Sequence, residues 1–184
     1  MRVIAGSAKG HPLKAPNRPQ TRPVTDLVRG AIFAILENQS VGWELVLDLF
    51  AGSGALGIEA LSRGAGRADF VEHEPVCCAI IKQNLEKTGF TECAHVYCTS
   101  VQKALVYLDK TYDIILMDPP YASMATGDIL LKLGNSSLLG PGSVLVLTHS
   151  PRFEMPPQLD PLHIIKEHRY GDSCVTLFRK EASI

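Results

Sequence analysis

The stretch Asp48-Leu49-Phe50-Ala51-Gly52-Ser53-Gly54-Ala55-Leu56-Gly57 decides the fold of this 184-residue chain. Residues 45–50 are nearly all apolar, as a strand covered on both faces must be. Residues 54–63 follow as a helix, stopped by Gly64. Between them lies Gly52-x-Gly54-x-x-Gly57, a spacing that permits a tight turn and lets backbone N–H groups approach a ligand. Glu72 ends the next strand, 68–72, twenty residues after Gly52. A carboxylate there can accept hydrogen bonds from both hydroxyls of a ribose. Strand, glycine turn, helix and acid in this order point to a nucleoside cofactor. The glycines alone do not separate a nicotinamide dinucleotide from S-adenosylmethionine. Asp48 favours the latter, because a carboxylate at that strand end repels a pyrophosphate and attracts an ammonium.

Working outward, the alternation continues on both sides. Downstream, Pro75 fits the first turn of a helix that ends near Gly89. Strands follow at 94–98, 112–117 and 143–148, separated by helices that run through Leu108 and over 127–133. After a proline-marked loop, two alternating strands at 164–170 and 174–179 flank Gly171-Asp172, a hairpin turn. Upstream, Thr25 is the N-cap of a helix whose buried face is Val28, Ala31, Ile32, Ile35 and Leu36. Repeated strand–helix units with a terminal hairpin predict an α/β fold, a doubly wound, mostly parallel sheet with one antiparallel strand inserted.

A second motif, Asp118-Pro119-Pro120-Tyr121, follows the fourth strand of the series. It therefore lies at the carboxyl edge of the sheet, beside the glycine turn, where open α/β sheets bind ligands. The residue types suit methylation of an exocyclic amine, whose lone pair is delocalised into its ring. Hydrogen bonds to Asp118 and to a backbone carbonyl near Pro119 hold the nitrogen pyramidal and aim that lone pair. The prolines fix the carbonyl and remove competing N–H donors. Tyr121 offers a ring for stacking on the base. Positioning supplies much of the rate in such a transfer.

Composition bounds the remainder. No apolar run approaches the roughly 20 residues of a membrane span, and the N-terminus lacks the long apolar stretch of a secretory signal. Both features predict a cytoplasmic protein. Five cysteines without a Cys-x-x-Cys pattern argue against a disulfide framework or a zinc site, and no metal is expected. The chain carries a net −1, yet residues 1–30 hold Arg2, Lys9, Lys14, Arg18, Arg22 and Arg29 against one acid, Asp26. That basic stretch, kept extended by Pro12, Pro16, Pro19 and Pro23, reads as an arm over residues 1–24 ahead of a domain over 25–184. Val3-Ile4-Ala5 and Leu13-Lys14-Ala15 are its candidate strands, and nucleic-acid phosphate is its candidate partner. No long exposed apolar stripe is evident, so a monomer is expected.

Longer runs carry a family resemblance. They are Arg2-Val3-Ile4-Ala5-Gly6, Gly10-x-x-Leu13, Arg22-Pro23-Val24-Thr25-Asp26-x-Val28-Arg29 and the glycine turn extended through Glu59-Ala60-Leu61-Ser62-Arg63-Gly64-Ala65. Together with the Asp118–Tyr121 motif they resemble the RsmD-type bacterial methyltransferases, which modify a guanine N2 in 16S ribosomal RNA. The likeness is strong over residues 1–121 and looser beyond. It implies a Rossmann-like class I methyltransferase fold with seven strands in the order 3-2-1-4-5-7-6 and a small N-terminal β-hairpin arm. It also implies a small ribosomal subunit or assembly intermediate as partner. Phe50, Ala51 and Gly52 would line the methionine part of S-adenosylmethionine, with Thr25 helping to hold its carboxylate and with Asp48 and Gly54 as further cofactor-binding candidates. Glu72 would hold the ribose, Asp118 to Tyr121 the target base, and Lys9 and Arg22 RNA phosphates. Relatives often carry Asp or Asn where Ser100 stands; Ser100 and the Val101 N–H are the candidate adenine contacts. An adenine-N6 DNA methyltransferase would use the same motifs, though 184 residues leave little room for a sequence-reading domain. An NAD-dependent oxidoreductase would leave Asp118–Tyr121 unexplained. His73, His149 and Cys98 read as loop, strand-end or core residues.

Overall fold

The structure, a computed structural model, describes residues 1–16, 25–120 and 125–180. Seven strands form one sheet: β1 Leu45–Leu49, β2 Arg67–Glu72, β3 Ala94–Cys98, β4 Tyr112–Met117, β5 Leu139–His149, β6 Leu162–Tyr170 and β7 Ser173–Lys180. Their spatial order is β3-β2-β1-β4-β5-β7-β6, the order the resemblance implies. Neighbours from β3 to β5 are parallel, while β7 runs antiparallel to both β5 and β6. This is the class I methyltransferase fold.

Among the described residues five α-helices cover the two faces: α1 Asp26–Glu37, α2 Ala55–Ser62, α3 Pro75–Thr88, α4 Val101–Tyr107 and α5 Thr126–Gly134. Strand residues alternate between two cores, as the period-2 geometry requires. Val46, Ile114, Leu116, Val144 and Val146 meet Ile32, Phe33, Ile58 and Ile81 of α1, α2 and α3. Leu47, Leu49, Ile115, Leu145 and Leu147 meet Val101, Ala104, Leu130 and Leu133 of α4 and α5. Every central strand is thus apolar on both sides, which is why 45–50 shows no polar alternation. No helix among the described residues is long and apolar enough to cross a membrane.

The structure moves several boundaries. Strand β5 starts at Leu139, four residues before the expected 143, because Leu139 pairs with Tyr112 ahead of an irregularity in the β4–β5 register. Gly140-Pro141-Gly142 imitates a turn in sequence, and Gly142 does adopt φ 87°. Helix α1 buries Arg29 and Phe33 beyond the expected face, whereas Ala31 is only half-buried. Arg29 therefore does not belong to an exposed basic stretch. Its guanidinium pairs with Asp26 at 3.0 Å and faces Glu59 at 3.8 Å.

Residues 1–16 lie against α2 and α3. Val3 and His11 pair through the Val3 N–H, and Gly10 donates back to the Val3 carbonyl at 2.9 Å. Only Arg2 and Pro12 form a bridge of strand type, so the two expected strands form a tight hairpin without extended ladders. The buried Glu59 carboxylate accepts the Ile4 and Ala5 N–H groups at 2.8 and 3.0 Å, and the Arg63 Nε at 2.8 Å. Val3, Ala8 and Leu13 join the core on that side. Burying a charged carboxylate is tolerated when cations and backbone donors surround it, and here that arrangement fastens the hairpin to α2.

Candidate active site

The C-terminal ends of the strands assemble the site. Helix connections leave β1 in one direction along the sheet and β4 in the other, so a crevice opens between these neighbours. Register fixes what faces it. Leu49 stands level with Val71 and with Met117, so the next residues, Phe50, Glu72 and Asp118, end three adjacent strands at one height. Cys98 on β3 is level with Glu72.

The turn after β1 is built in three different ways at its three glycines. A Cβ placed on Gly57 would lie 2.3 Å from the Phe70 ring, so this position is small for α2–β2 packing. A Cβ on Gly54 would meet Ile81 and Phe70 at 3.2–3.3 Å. Gly52 has φ 57° and its nearest such neighbour is the Phe50 carbonyl at 3.9 Å, so it borders open space. Phe50 itself holds φ 59°, a left-handed conformation that costs a non-glycine residue roughly 1 kcal/mol or more. Nothing in the order of side chains announced this. The Ala51 N–H donates to the Val71 carbonyl at 3.1 Å and holds the turn in place.

Three carboxylates surround this turn. Asp48 is buried, and its Oδ2 accepts the Gly57 N–H at 2.8 Å. Burial, with Asp118 and Glu72 nearby, raises its pKa well above the ordinary carboxylate range despite that hydrogen bond. Glu72 accepts the Gly52 N–H on Oε2 at 2.8 Å and the Glu74 N–H on Oε1 at 2.9 Å. Exposed His73 reaches Glu72 at 3.1 Å and Glu74 at 3.3 Å, and no group of three metal-ligating side chains occurs among the described residues.

Asp118 accepts the Thr148 hydroxyl on Oδ1. Burial pushes its pKa up to about 6, and the Thr148 bond opposes that rise. Pro119 is buried and Pro120 exposed. Beside them a small cleft is lined by Pro119, Pro120, Thr126, Thr148, His149 and Phe153. His149 and Phe153 have ring centroids 5.4 Å apart, and His149 Nε2 lies 2.8 Å from the Thr176 hydroxyl. His149 is a buried strand-end residue, as expected. The approach of Thr148, His149 and Phe153 to the proline motif was not foreseen. They arrive from β5 and the loop after it, and only the register of β5 beside β4 reveals this.

The remaining expected positions divide as follows. Thr25 caps α1 by accepting the Val28 N–H at 3.3 Å, and Ser100 caps α4 by accepting the Lys103 N–H at 3.4 Å. Val101 opens α4, so its N–H is among those without an intrahelical acceptor. Lys9 is exposed in the turn of the hairpin. Tyr121 and Arg22 lie outside the described residues.

A family described as "Conserved hypothetical protein 95" matches residues 1–179. The chain belongs to this family, which is the RsmD type. YlbH of Bacillus subtilis (strain 168), provisionally named an rRNA methyltransferase, is 36% identical over 98% of this chain and 99% of its own length. Ribosomal RNA small subunit methyltransferase D of Escherichia coli (strain K12) is 29% identical over 99% of this chain and 91% of that protein. Among solved structures, the Escherichia coli protein yhhF, provisionally described as a methyltransferase, superposes with a TM-score of 0.85 at 27% identity, covering 100% of this chain and 99% of that one. The RsmD-type likeness first carried by the motifs thus extends over nearly the whole chain.

Proposed function

We propose that this protein is an rRNA methyltransferase that transfers a methyl group from S-adenosylmethionine to the exocyclic N2 of a guanine in 16S rRNA. The observation that carries this reading is the common height of Glu72, Phe50 and Asp118 on three adjacent strands. A nucleoside-holding acid and an amine-holding acid thereby flank one glycine turn. The full-length likeness to the small subunit methyltransferase of Escherichia coli supports the rRNA substrate.

The residues fit an adenosyl ligand. Gly52 borders open space where a side chain would intrude, and the Glu72 carboxylate sits at the strand end where ribose hydroxyls bind. We assign Thr25, Phe50, Ala51, Gly52 and Gly54 to the methionine part, Glu72 to the ribose, and Ser100 with the Val101 N–H to the adenine. Asp48 lies beneath the turn, and an arriving ammonium would draw its raised pKa back down. When bound, the cofactor supplies the electrophilic methyl group.

The chain's own residues do the rest. Oδ1 of Asp118 takes the Thr148 hydroxyl, so Oδ2 is the oxygen assigned to the substrate amine. The amine donates to it, and the Pro119 region offers a carbonyl to the second amine hydrogen. Tyr121 and Phe153 offer rings for the base. Lys9 and Arg22, in an arm over 1–24 ahead of the catalytic domain 25–184, bind RNA phosphates.

Incubation with methyl-labelled S-adenosylmethionine and small ribosomal subunits lacking endogenous modification tests the assignment. Label in N2-methylguanosine at one site is expected. Label in N6-methyladenine of DNA, with rRNA unlabelled, would contradict it.

A further inference from the structure

One pair of thiols is left unused by this reading. Cys78 and Cys98 are both free thiols, and their Sγ atoms are 2.7 Å apart. Cys98 ends β3, exposed, while Cys78 is buried in the first turns of α3. A disulfide has an S–S length of about 2.05 Å, so the sulfurs need to close by only about 0.7 Å. Cys78 Sγ also lies 3.3 Å from the Glu72 carbonyl. Glu74, whose N–H binds the Glu72 carboxylate, precedes α3. The pair therefore joins the two elements that flank Glu72, β3 on one side and the start of α3 on the other.

We propose that Cys78 and Cys98 form a reversible intramolecular disulfide that weakens cofactor binding at Glu72. The oxidant is a peroxide. The exposed Cys98 thiolate attacks the peroxide O–O bond, forming a sulfenic acid and releasing hydroxide. Cys78 sulfur then attacks Cys98 sulfur; the S–S bond forms, the S–O bond breaks, and a second hydroxide departs. Each hydroxide takes one thiol proton, so two thiols lose two electrons and one hydrogen peroxide becomes two waters. Burial, and the Cys98 sulfur after it, push the Cys78 thiol up to about 12. Cys78 therefore keeps its proton until that second step, and Cys98 is the sulfur oxidised first. A dithiol reverses the bond by exchange. Closing the bond removes the Cys78 contact to the Glu72 carbonyl and draws the end of β3 towards α3.

The effect on affinity rests on the cofactor reading; formation of the disulfide does not. The full chain, treated with hydrogen peroxide, is analysed by intact mass and by peptide mapping without reduction. A loss of two hydrogens and a peptide joining Cys78 to Cys98 are expected. Binding of S-adenosylhomocysteine, followed by calorimetry, should weaken at least fivefold and recover with dithiothreitol. Cys98→Ser should bind like the reduced protein and ignore peroxide. Absence of the joined peptide overturns the proposal, as does a joined peptide with unchanged affinity. If the reduced protein binds no S-adenosylhomocysteine, the cofactor reading fails, and the joined peptide still decides the disulfide.

Discussion

At the N-terminal end of the sheet, Asp69 receives the Lys110 ammonium and the Tyr112 hydroxyl, each at 2.8 Å, and Asp113 receives the Glu44 and Leu45 N–H groups at 2.9 Å. At the C-terminal end, Glu72 and Asp118 flank one crevice with Asp48 buried beneath the turn between them, and no Lys or Arg pairs with any of the three among the described residues. The first arrangement neutralises charge and stabilises the fold. The second leaves acceptor capacity without a cation, and burial raises the pKa of both Asp48 and Asp118, so ionisation of those two opposes folding. Carboxylates held that way are characteristic of functional sites. Under the proposed function, carboxylates thus serve stability at one end of the sheet and ligand recognition at the other.

Asp118→Asn probes this division with the largest expected effect. Turnover should fall by about a thousandfold or more, while cofactor affinity stays within about threefold. A comparable loss of both would make Asp118 a structural residue. The same substitution should stabilise the fold. The Asp118 pKa is raised in the folded state, so its ionisation opposes folding at neutral pH, and that penalty fades as pH falls through about 6. Thermal denaturation near neutral pH should show the variant melting a few degrees higher, with the gap closing in mild acid. A constant gap at all pH values would break the assignment.

Gly57→Ala comes next. Its Cβ would press on the Phe70 ring, so a loss of about 1–3 kcal/mol is expected by denaturant titration. An unchanged midpoint would mean that α2 has room to shift. A smaller effect should appear in the pH dependence of activity. Accepting the amine hydrogen requires ionised Asp118, so kcat/KM, which follows the free enzyme, should fall as pH drops through about 6. A flat profile down to the ordinary carboxylate range would sharpen the comparison differently, placing the charge requirement elsewhere.

The strands and the two motifs were legible because both depend on local pattern. Doubly buried strands are continuous apolar runs, and glycine turns and proline pairs impose their geometry wherever they stand. Arg29 was not legible, because an arginine in a basic stretch looks solvated until Glu59, thirty residues on, closes over it. The strain at Phe50 was hidden, since a phenylalanine gives no sign of a positive φ. The proximity of Thr148 to Asp118 and of Cys78 to Cys98 depends on strand order and register. Such contacts join residues 20 to 30 positions apart, which periodicity does not relate.

The most direct test sets the two ends of the sheet against each other. Melting temperatures of Glu72→Gln and Asp69→Asn are measured with and without saturating S-adenosylhomocysteine. Asp69→Asn should melt lower than the parent, having lost about 1–3 kcal/mol at the Tyr112 and Lys110 contacts, yet keep the full ligand-induced rise. Glu72→Gln should lose most of that rise. A full ligand-induced rise in Glu72→Gln, or its loss in Asp69→Asn, would contradict the division of labour between the two ends.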